Sequence, residues 1–175
     1  MRIETRRRRA LAGGLAALAL VATACGGDGD ETRTVTAEDY RFEDLPATVD
    51  AGTTFKLTNA SDVELHEMVM FRIPDNERRS VEELIRLPEE ELGAIFQGEP
   101  AMVLLAPPNG GDQITAVGDG KLTQPGRYAV VCFIPTGADP GAYLSAAQAG
   151  GEGPPQVAGG PPHAFNGMFA QVTVR

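Results

Sequence analysis

The chain has 175 residues, 42% of them hydrophobic, and a formal net charge of −9 with a pI near 4.7. This length suits one compact domain, and two Cys are too few for a disulfide-rich miniature scaffold. Two His exclude a multi-histidine metal cluster. The acidic balance excludes a nucleic-acid surface, because neutralising phosphates requires clustered Lys and Arg.

The N-terminal segment has the features of an export signal. A basic head, Arg6–Arg9, precedes the uncharged stretch Ala10–Ala24, which is shorter than the ~20 residues that a membrane-spanning helix needs. The exit Ala22-Thr23-Ala24-Cys25 resembles a bacterial lipobox, so we predict that residues 1–24 are a lipoprotein signal peptide and that Cys25 is lipidated. The alternative is an ordinary signal peptide cleaved near Ala24, and both the Sec and the twin-arginine export routes stay open.

Residues 25–32 are predicted to be the lipidated Cys and a flexible tether, because Gly26–Glu31 is polar and Gly-rich. The tether holds a domain over residues 33–175. This predicts an exported protein that is lipid-anchored to the outer face of the cytoplasmic membrane, in the cell envelope or periplasmic space. Residues 25–175 hold ten basic and 23 acidic residues, a net charge of −13. Such a charge favours a protein partner with a basic docking face.

Short segments rich in Val, Thr, Phe and Tyr follow one another along the rest of the chain. Turn residues such as Asp50-Ala51-Gly52 and Gln124-Pro125-Gly126 separate them. This spacing predicts an all-β sandwich or barrel. The candidate strands are Thr32–Thr36, Thr54–Thr58, Leu65–Ile73, Gln113–Val117, Arg127–Ile134 and Met168–Val174.

Two excursions interrupt the strands. Over about 75–101 we predict a helical insertion, because Ser80 and Glu83 have the spacing of a capping box. Glu89–Glu91 then place negative charge at the start of a second helix, where the dipole favours it. The second excursion, Thr136–Pro162, is a long loop rich in Gly and Pro in which only Ala142–Ala149 has the character of a short helix.

Four side chains with metal-ligand chemistry lie at strand ends or just before strands. His66, Cys132 and His163 are the complete stock of His and non-lipidated Cys, and Met168 follows His163 by five positions. A lone thiol in an exported protein is oxidised unless it is buried or coordinated. Two imidazoles, a thiolate and a thioether form the ligand set of a blue-copper electron-transfer centre.

Two local motifs resemble the cupredoxin family, and in particular plastocyanin-like and azurin-like proteins. Gly126–Cys132 looks like the family's Gly-x-Tyr-x-x-x-Cys strand, and Pro162–Met168 matches its Pro-His-x-x-x-Gly-Met ending. The resemblance implies a Greek-key β-sandwich that binds one type 1 copper ion. His66, Cys132 and His163 would be its ligands and Met168 its weak axial ligand.

The sequence departs from the cupredoxin pattern in two places. The long loop 136–162 separates Cys132 from His163, whereas relatives have only a few residues there. Because loop closure costs ~0.6 kcal/mol per doubling of length, the site can still form, but we expect a less stiff ligand loop that covers the His163 edge. Glu67 stands where relatives often have an Asn that donates a hydrogen bond to the thiolate loop, which an ionised carboxylate cannot do.

These observations predict a membrane-anchored, monomeric blue copper protein that carries single electrons to a redox partner. Two alternatives stay open: a copper storage or delivery lipoprotein, which the long loop favours, and a metal-free cupredoxin-fold binding module. An enzyme is not expected, because Ser61, Ser80 and Ser145 lie in no nucleophile-elbow context. We interpret Met68 and Met70 as sandwich core rather than as a Cu(I)-binding methionine cluster.

Overall fold

A computed structural model describes residues 31–150 and 153–175. The predicted signal peptide, Cys25 and nearly all of the tether lie outside the described residues. The strands are β1 Thr32–Glu38, β2 Arg41–Glu43, β3 Thr48–Val49, β4 Thr53–Asn59, β5 His66–Arg72, β6 Met102–Ala106, β7 Ile114–Val117, β8 Lys121–Leu122, β9 Gly126–Val131 and β10 Phe169–Val174. The helices are α1 Val81–Leu84, α2 Glu89–Ile95, α3 Pro140–Ala149 and a 3-10 helix, His163–Asn166.

The strands form two mixed sheets that enclose one main core. Their orders are β2-β1-β4-β8 in the four-stranded sheet and β3-β10-β9-β5-β6-β7 in the six-stranded sheet. The β1–β4 and β3–β10 pairs are parallel, and the other pairs are antiparallel. The β-sandwich with a helical insertion that the sequence predicts is confirmed.

Strand β9 leads directly to the predicted thiolate and is buried on both faces. Tyr128 and Val130 point into the main core with Cys132. Ala129 and Val131 point to the opposite face, where they join a second apolar cluster with residues of α1. The alternation of a strand therefore places the Cys132 thiol at the end of the main core, as the sequence pattern predicts.

The helical insertion forms as predicted. The Ser80 hydroxyl accepts from the Glu83 N–H at 3.2 Å, and the Glu83 carboxylate accepts from the Ser80 N–H at 2.7 Å, which completes the capping box. Helix α2 begins directly after Pro88, with Glu89–Glu91 in its first turn. The buried residues of α1, Val81 and Leu84, join the second apolar cluster.

Several boundaries differ from the sequence-based prediction. Strand β6 was not predicted, because Met102–Ala106 is a short apolar run without alternation. Helix α3 begins at Pro140 rather than Ala142, since the Asp139 carboxylate accepts from the Ala142 N–H at 2.7 Å and caps the helix there. Thr32 is the first residue of β1, as the candidate strand Thr32–Thr36 predicts, so the predicted tether is too long by this one residue. No helix in residues 31–150 and 153–175 is long and apolar enough to cross a bilayer.

Candidate metal centre

Three of the four predicted ligands converge at one end of the sandwich. His66, Cys132 and His163 each offer a donor atom, and these atoms all lie within 4.8 Å of one another. The two Nδ1 atoms of His66 and His163 are 3.2 Å apart, and the Cys132 Sγ lies 3.4 Å from the His163 Nδ1. All three side chains are fully buried.

These separations are those of donors that share one ion. A first-row metal binds imidazole nitrogen at about 2.0 Å and thiolate sulfur at about 2.3 Å, so neighbouring ligands of a trigonal or tetrahedral ion lie about 3.2–3.8 Å apart. The Nδ1–Nδ1 and Sγ–Nδ1 distances fall in this range. Two imidazoles and one thiolate at this spacing support one type 1 copper ion.

A rigid turn delivers the first imidazole. Asn59, the last residue of β4, donates through Nδ2 to the carbonyl oxygens of Glu64 and Ala106, both at 2.8 Å. Within the same turn, the Ser61 hydroxyl accepts from the Glu64 N–H at 3.0 Å. These bonds fix the chain just before His66, which is the first residue of β5.

Main-chain bonds join the thiolate segment to the segment of the second imidazole. The His163 N–H donates to the Ile134 carbonyl at 3.0 Å, and the Ala164 N–H donates to the Cys132 carbonyl at 2.9 Å. Main-chain hydrogen bonds therefore hold the Cys132 and His163 segments side by side, although the long loop separates them in sequence.

The same loop is closed at its base. The Thr136 N–H and hydroxyl both donate to the Pro161 carbonyl, at 3.1 and 2.8 Å. The Gly160 N–H returns to the Thr136 carbonyl at 2.8 Å. These hydrogen bonds join the two ends of the loop in a narrow neck, formed by Thr136, Gly160 and Pro161, with Cys132 and His163 just outside it in sequence.

Met168 lies beside both ligand segments. It is fully buried in the main core, its N–H donates to the His163 carbonyl at 3.1 Å, and its carbonyl accepts from the Cys132 N–H at 3.2 Å. Gly167 makes the turn before it with a φ of 111°, a conformation that side chains disfavour. The role of the Met168 thioether as axial ligand stays a prediction.

Burial prepares the imidazoles for metal binding. It lowers the pKa of His66 to about 4, with a smaller contribution from His163, and it also lowers the pKa of His163. Both rings are therefore neutral at pH 7. Burial raises the pKa of the Cys132 thiol far above its usual value, so a metal ion that binds there must displace a proton.

The ring nitrogens that point away from the centre face carboxylates. The His66 Nε2 lies 3.6 Å from Asp39 and the His163 Nε2 lies 3.5 Å from Glu64, and neither nitrogen has a hydrogen bond among the described residues. Tyr40 covers His163 edge-on, with ring centroids 5.2 Å apart. Asp39, Tyr40 and Glu64 were not among the predicted site residues. Of the three, only Glu64 could have been inferred from the sequence, because it is a carboxylate two residues before the predicted ligand His66.

Glu67 connects to the thiolate segment in a way that the sequence analysis did not predict. Its side chain does not donate but accepts, from the Phe133 N–H at 3.0 Å and from the Tyr143 hydroxyl at 3.0 Å. Its own N–H donates to the Cys132 Sγ at 3.5 Å. Burial raises the pKa of Glu67 to about 7. Tyr143 belongs to the long loop and was not among the predicted site residues.

No family model and no curated protein matches the chain. Among solved structures it resembles auracyanin A, titled a "blue" copper protein from Chloroflexus aurantiacus, at 18% identity and a TM-score of 0.45, over 84% of this chain and all of the other. It also resembles a dithionite-reduced auracyanin from Roseiflexus castenholzii, at 17% identity and a TM-score of 0.42, over 84% of this chain and 98% of the other. A third similar structure is auracyanin B, at 15% identity and a TM-score of 0.34, over 83% of this chain and 88% of the other.

The two-sheet sandwich and the convergent donor set agree with the resemblance that the sequence motifs predict. Since the solved structures are this distant, the functional conclusion depends on the geometry of the centre itself.

Proposed function

We propose that this protein is a blue copper protein that carries single electrons, with His66, Cys132 and His163 as copper ligands and Met168 as the weak axial ligand. The observation that supports it is the approach of two imidazole Nδ1 atoms and one thiol within bonding range of a common ion. The residues are of the right chemical type for copper in both oxidation states.

The chain's own residues supply the environment that such a centre needs. Copper, when bound, supplies the one-electron couple. Full burial of His66, Cys132 and His163 excludes water from the donor atoms. The main-chain bonds between the Cys132 and His163 segments hold the donors in place. A donor set held by such hydrogen bonds rearranges little between oxidation states, which favours rapid one-electron transfer.

The decisive experiment is the metal content and visible spectrum of residues 26–175 after loading with Cu(II). We expect one copper per chain and an intense thiolate-to-copper band near 600 nm, which Cys132→Ala abolishes. The control is Met102→Leu, which changes a fully buried sulfur side chain in β6 outside the predicted ligand set and should keep the colour. A colourless wild-type protein, or a coloured Cys132→Ala variant, would contradict the proposal. Wild-type protein without stoichiometric copper would favour the metal-free binding module.

A specific observation favours a second candidate, copper storage or delivery. His163 is fully buried, with Tyr40 packed edge-on against its ring and Glu64 3.5 Å from its Nε2, so the edge of its ring is not open to a partner. Self-exchange of electrons between oxidised and reduced protein distinguishes the two functions. Fast exchange supports the electron carrier, whereas a centre that holds copper without exchanging electrons supports storage.

We further propose that the domain is tethered to the cell envelope through lipidated Cys25 and, as a monomer, meets a basic redox partner. The lipobox-like exit and the net charge of −13 over residues 25–175 support this. The test compares full-length protein with Cys25→Ser for incorporation of labelled palmitate. We expect label only in the wild-type protein, and equal labelling of both would contradict the anchor.

A further inference from the structure

We propose that the long loop between Cys132 and His163 is a working part of the metal centre, in which Tyr143 acts through Glu67 as a positioning residue for the thiolate segment. This inference deepens the proposed function and rests on it. The loop's role would then be to hold the ligands rather than to shield them.

The neck at Thr136, Gly160 and Pro161 makes this role unexpected. Because Thr136 is hydrogen-bonded to Gly160 and Pro161, the residues between them could form a separate surface loop with no influence on the ligands. Instead the chain returns to the sandwich. Helix α3 places Tyr143 against the main core with only 1% of its surface exposed.

The Tyr143 hydroxyl donates a hydrogen bond to Glu67, which itself makes two contacts with the thiolate segment. It donates to Glu67 Oε2 at 3.0 Å, while Glu67 Oε1 accepts from the Phe133 N–H at 3.0 Å. The Glu67 main chain donates to the Cys132 Sγ at 3.5 Å. One residue therefore connects α3 to the thiolate sulfur and to the peptide that follows it.

Few side chains attach α3 to the sandwich. Tyr143 is the helix's one buried residue, and the half-buried Leu144 also packs against the main core. Ala146 and Ala147 instead line a cavity of about 870 Å³ together with Val69 and Phe71 of β5. Tyr143 is therefore the main side-chain attachment of α3. Conversely, the orientation of the Glu67 carboxylate depends on the Tyr143 hydroxyl.

A second glutamate contacts the loop near its first residue. Glu64 accepts from the Gly137 N–H at 3.1 Å, just beyond the neck, and lies 3.5 Å from the His163 Nε2. Glu64 and Glu67 thus flank His66 in sequence, and each joins the long loop to one of the other ligands. Carboxylates that lie against ligand imidazoles or accept hydrogen bonds from neighbouring peptides influence ligand orientation in metal sites.

The test is Tyr143→Phe, measured on the copper-loaded protein and on the metal-free protein. The matched control is Tyr128→Phe, because Tyr128 is equally buried but its hydroxyl donates to the Gln124 carbonyl at 2.8 Å, within its own turn. In the loaded protein we expect Tyr143→Phe to lower copper affinity about tenfold, the loss typical of an outer-shell partner, and to shift the thiolate-to-copper band. Tyr128→Phe should change neither.

In the metal-free protein, amide hydrogen exchange at Phe133 is the second measurement. We expect Tyr143→Phe to speed exchange at this amide and Tyr128→Phe to leave it unchanged. Glu67→Gln keeps an acceptor oxygen for the Phe133 N–H and Glu67→Leu does not, so exchange at the Phe133 amide should be slower in Glu67→Gln than in Glu67→Leu.

The two measurements separate the failure of this inference from that of the proposed function. A wild-type protein that binds no copper removes the proposed function, while the exchange data still decide whether Tyr143 positions the thiolate segment. Unchanged Phe133 exchange in Tyr143→Phe overturns the inference. So does a loaded Tyr143→Phe protein that matches Tyr128→Phe in band position and affinity.

Discussion

The two insertions of this sandwich differ in how closely their polar contacts approach the metal centre. The first, over about 75–101, carries α1 and α2 and adds its apolar side chains to the second apolar cluster. The second, over 136–162, carries α3, places Ala138 and Tyr143 in the main core with Leu144 and Val157 half-buried against it, and makes hydrogen bonds to Glu64 and Glu67. The first insertion makes few polar contacts with the metal centre's surroundings, whereas the second makes several.

This difference separates stability from site geometry. Apolar burial is non-directional and proportional to area, so we expect the first insertion to act mainly on stability. Hydrogen bonds are directional, so the second insertion, through Tyr143 and Glu67, acts on the peptide after Cys132. Changes in the first insertion should therefore alter the free energy of unfolding, and changes in the second should alter the copper centre.

The largest expected effect is in the first insertion. Leu84 of α1 is fully buried in the second apolar cluster, and Leu84→Ala should lower the free energy of unfolding by about 2–5 kcal/mol. Urea unfolding of the metal-free protein measures this loss. The visible spectrum of the copper-loaded variant should match that of the wild type. A shifted band would show that the first insertion also positions the ligands.

The parts of the molecule that sequence patterns predicted are those encoded by neighbouring residues. The capping box depends on Ser80 and Glu83, three positions apart, and it forms as predicted. The inward direction of Cys132 follows from the alternation of β9. Cys132 and His163 were predicted from two short motifs and His66 because it is the other His of the chain, and all three converge. His66 begins β5 and Cys132 directly follows β9, so the sandwich fixes both positions.

The features that were missed depend on residues that are distant in sequence or lack a pattern. The bond between Glu67 and Tyr143 depends on how α3 folds back, and the Gly- and Pro-rich loop has no periodicity from which to infer this. The neck at Thr136 and Pro161 uses main-chain atoms, which leave no trace in residue type. Strand β6 has both faces largely buried, which removes the alternation that marks a strand.

A smaller effect comes from a matched pair of helix caps. Asp139→Ala removes the N-cap of α3 and Ser80→Ala that of α1, and each should lower helix stability by about 1 kcal/mol. Because α3 carries Tyr143, we expect Asp139→Ala to weaken copper affinity by up to about fivefold, while Ser80→Ala leaves it unchanged. Competition for Cu(I) with a chelator measures both. Equal affinities would mean that capping of α3 does not influence the centre.

The smallest effect concerns pH and the start of the first insertion. The Arg79 side chain, together with backbone N–H groups of Arg78 and Arg79, lowers the pKa of Glu77 from 4.5 to about 2. Because the folded pKa lies below the unfolded value, the stability that Glu77 contributes is fully present above pH 4.5 and is lost as the pH falls toward 2. Glu77→Gln removes this dependence without touching the copper centre.

The measurement is the difference in urea midpoint between metal-free wild type and Glu77→Gln. This difference should become smaller as the pH falls from 6 to 3, at both low and high salt. A difference that stays constant over this range would mean that Glu77 titrates normally, and a change in the copper spectrum at pH 6 would break the separation between the two insertions.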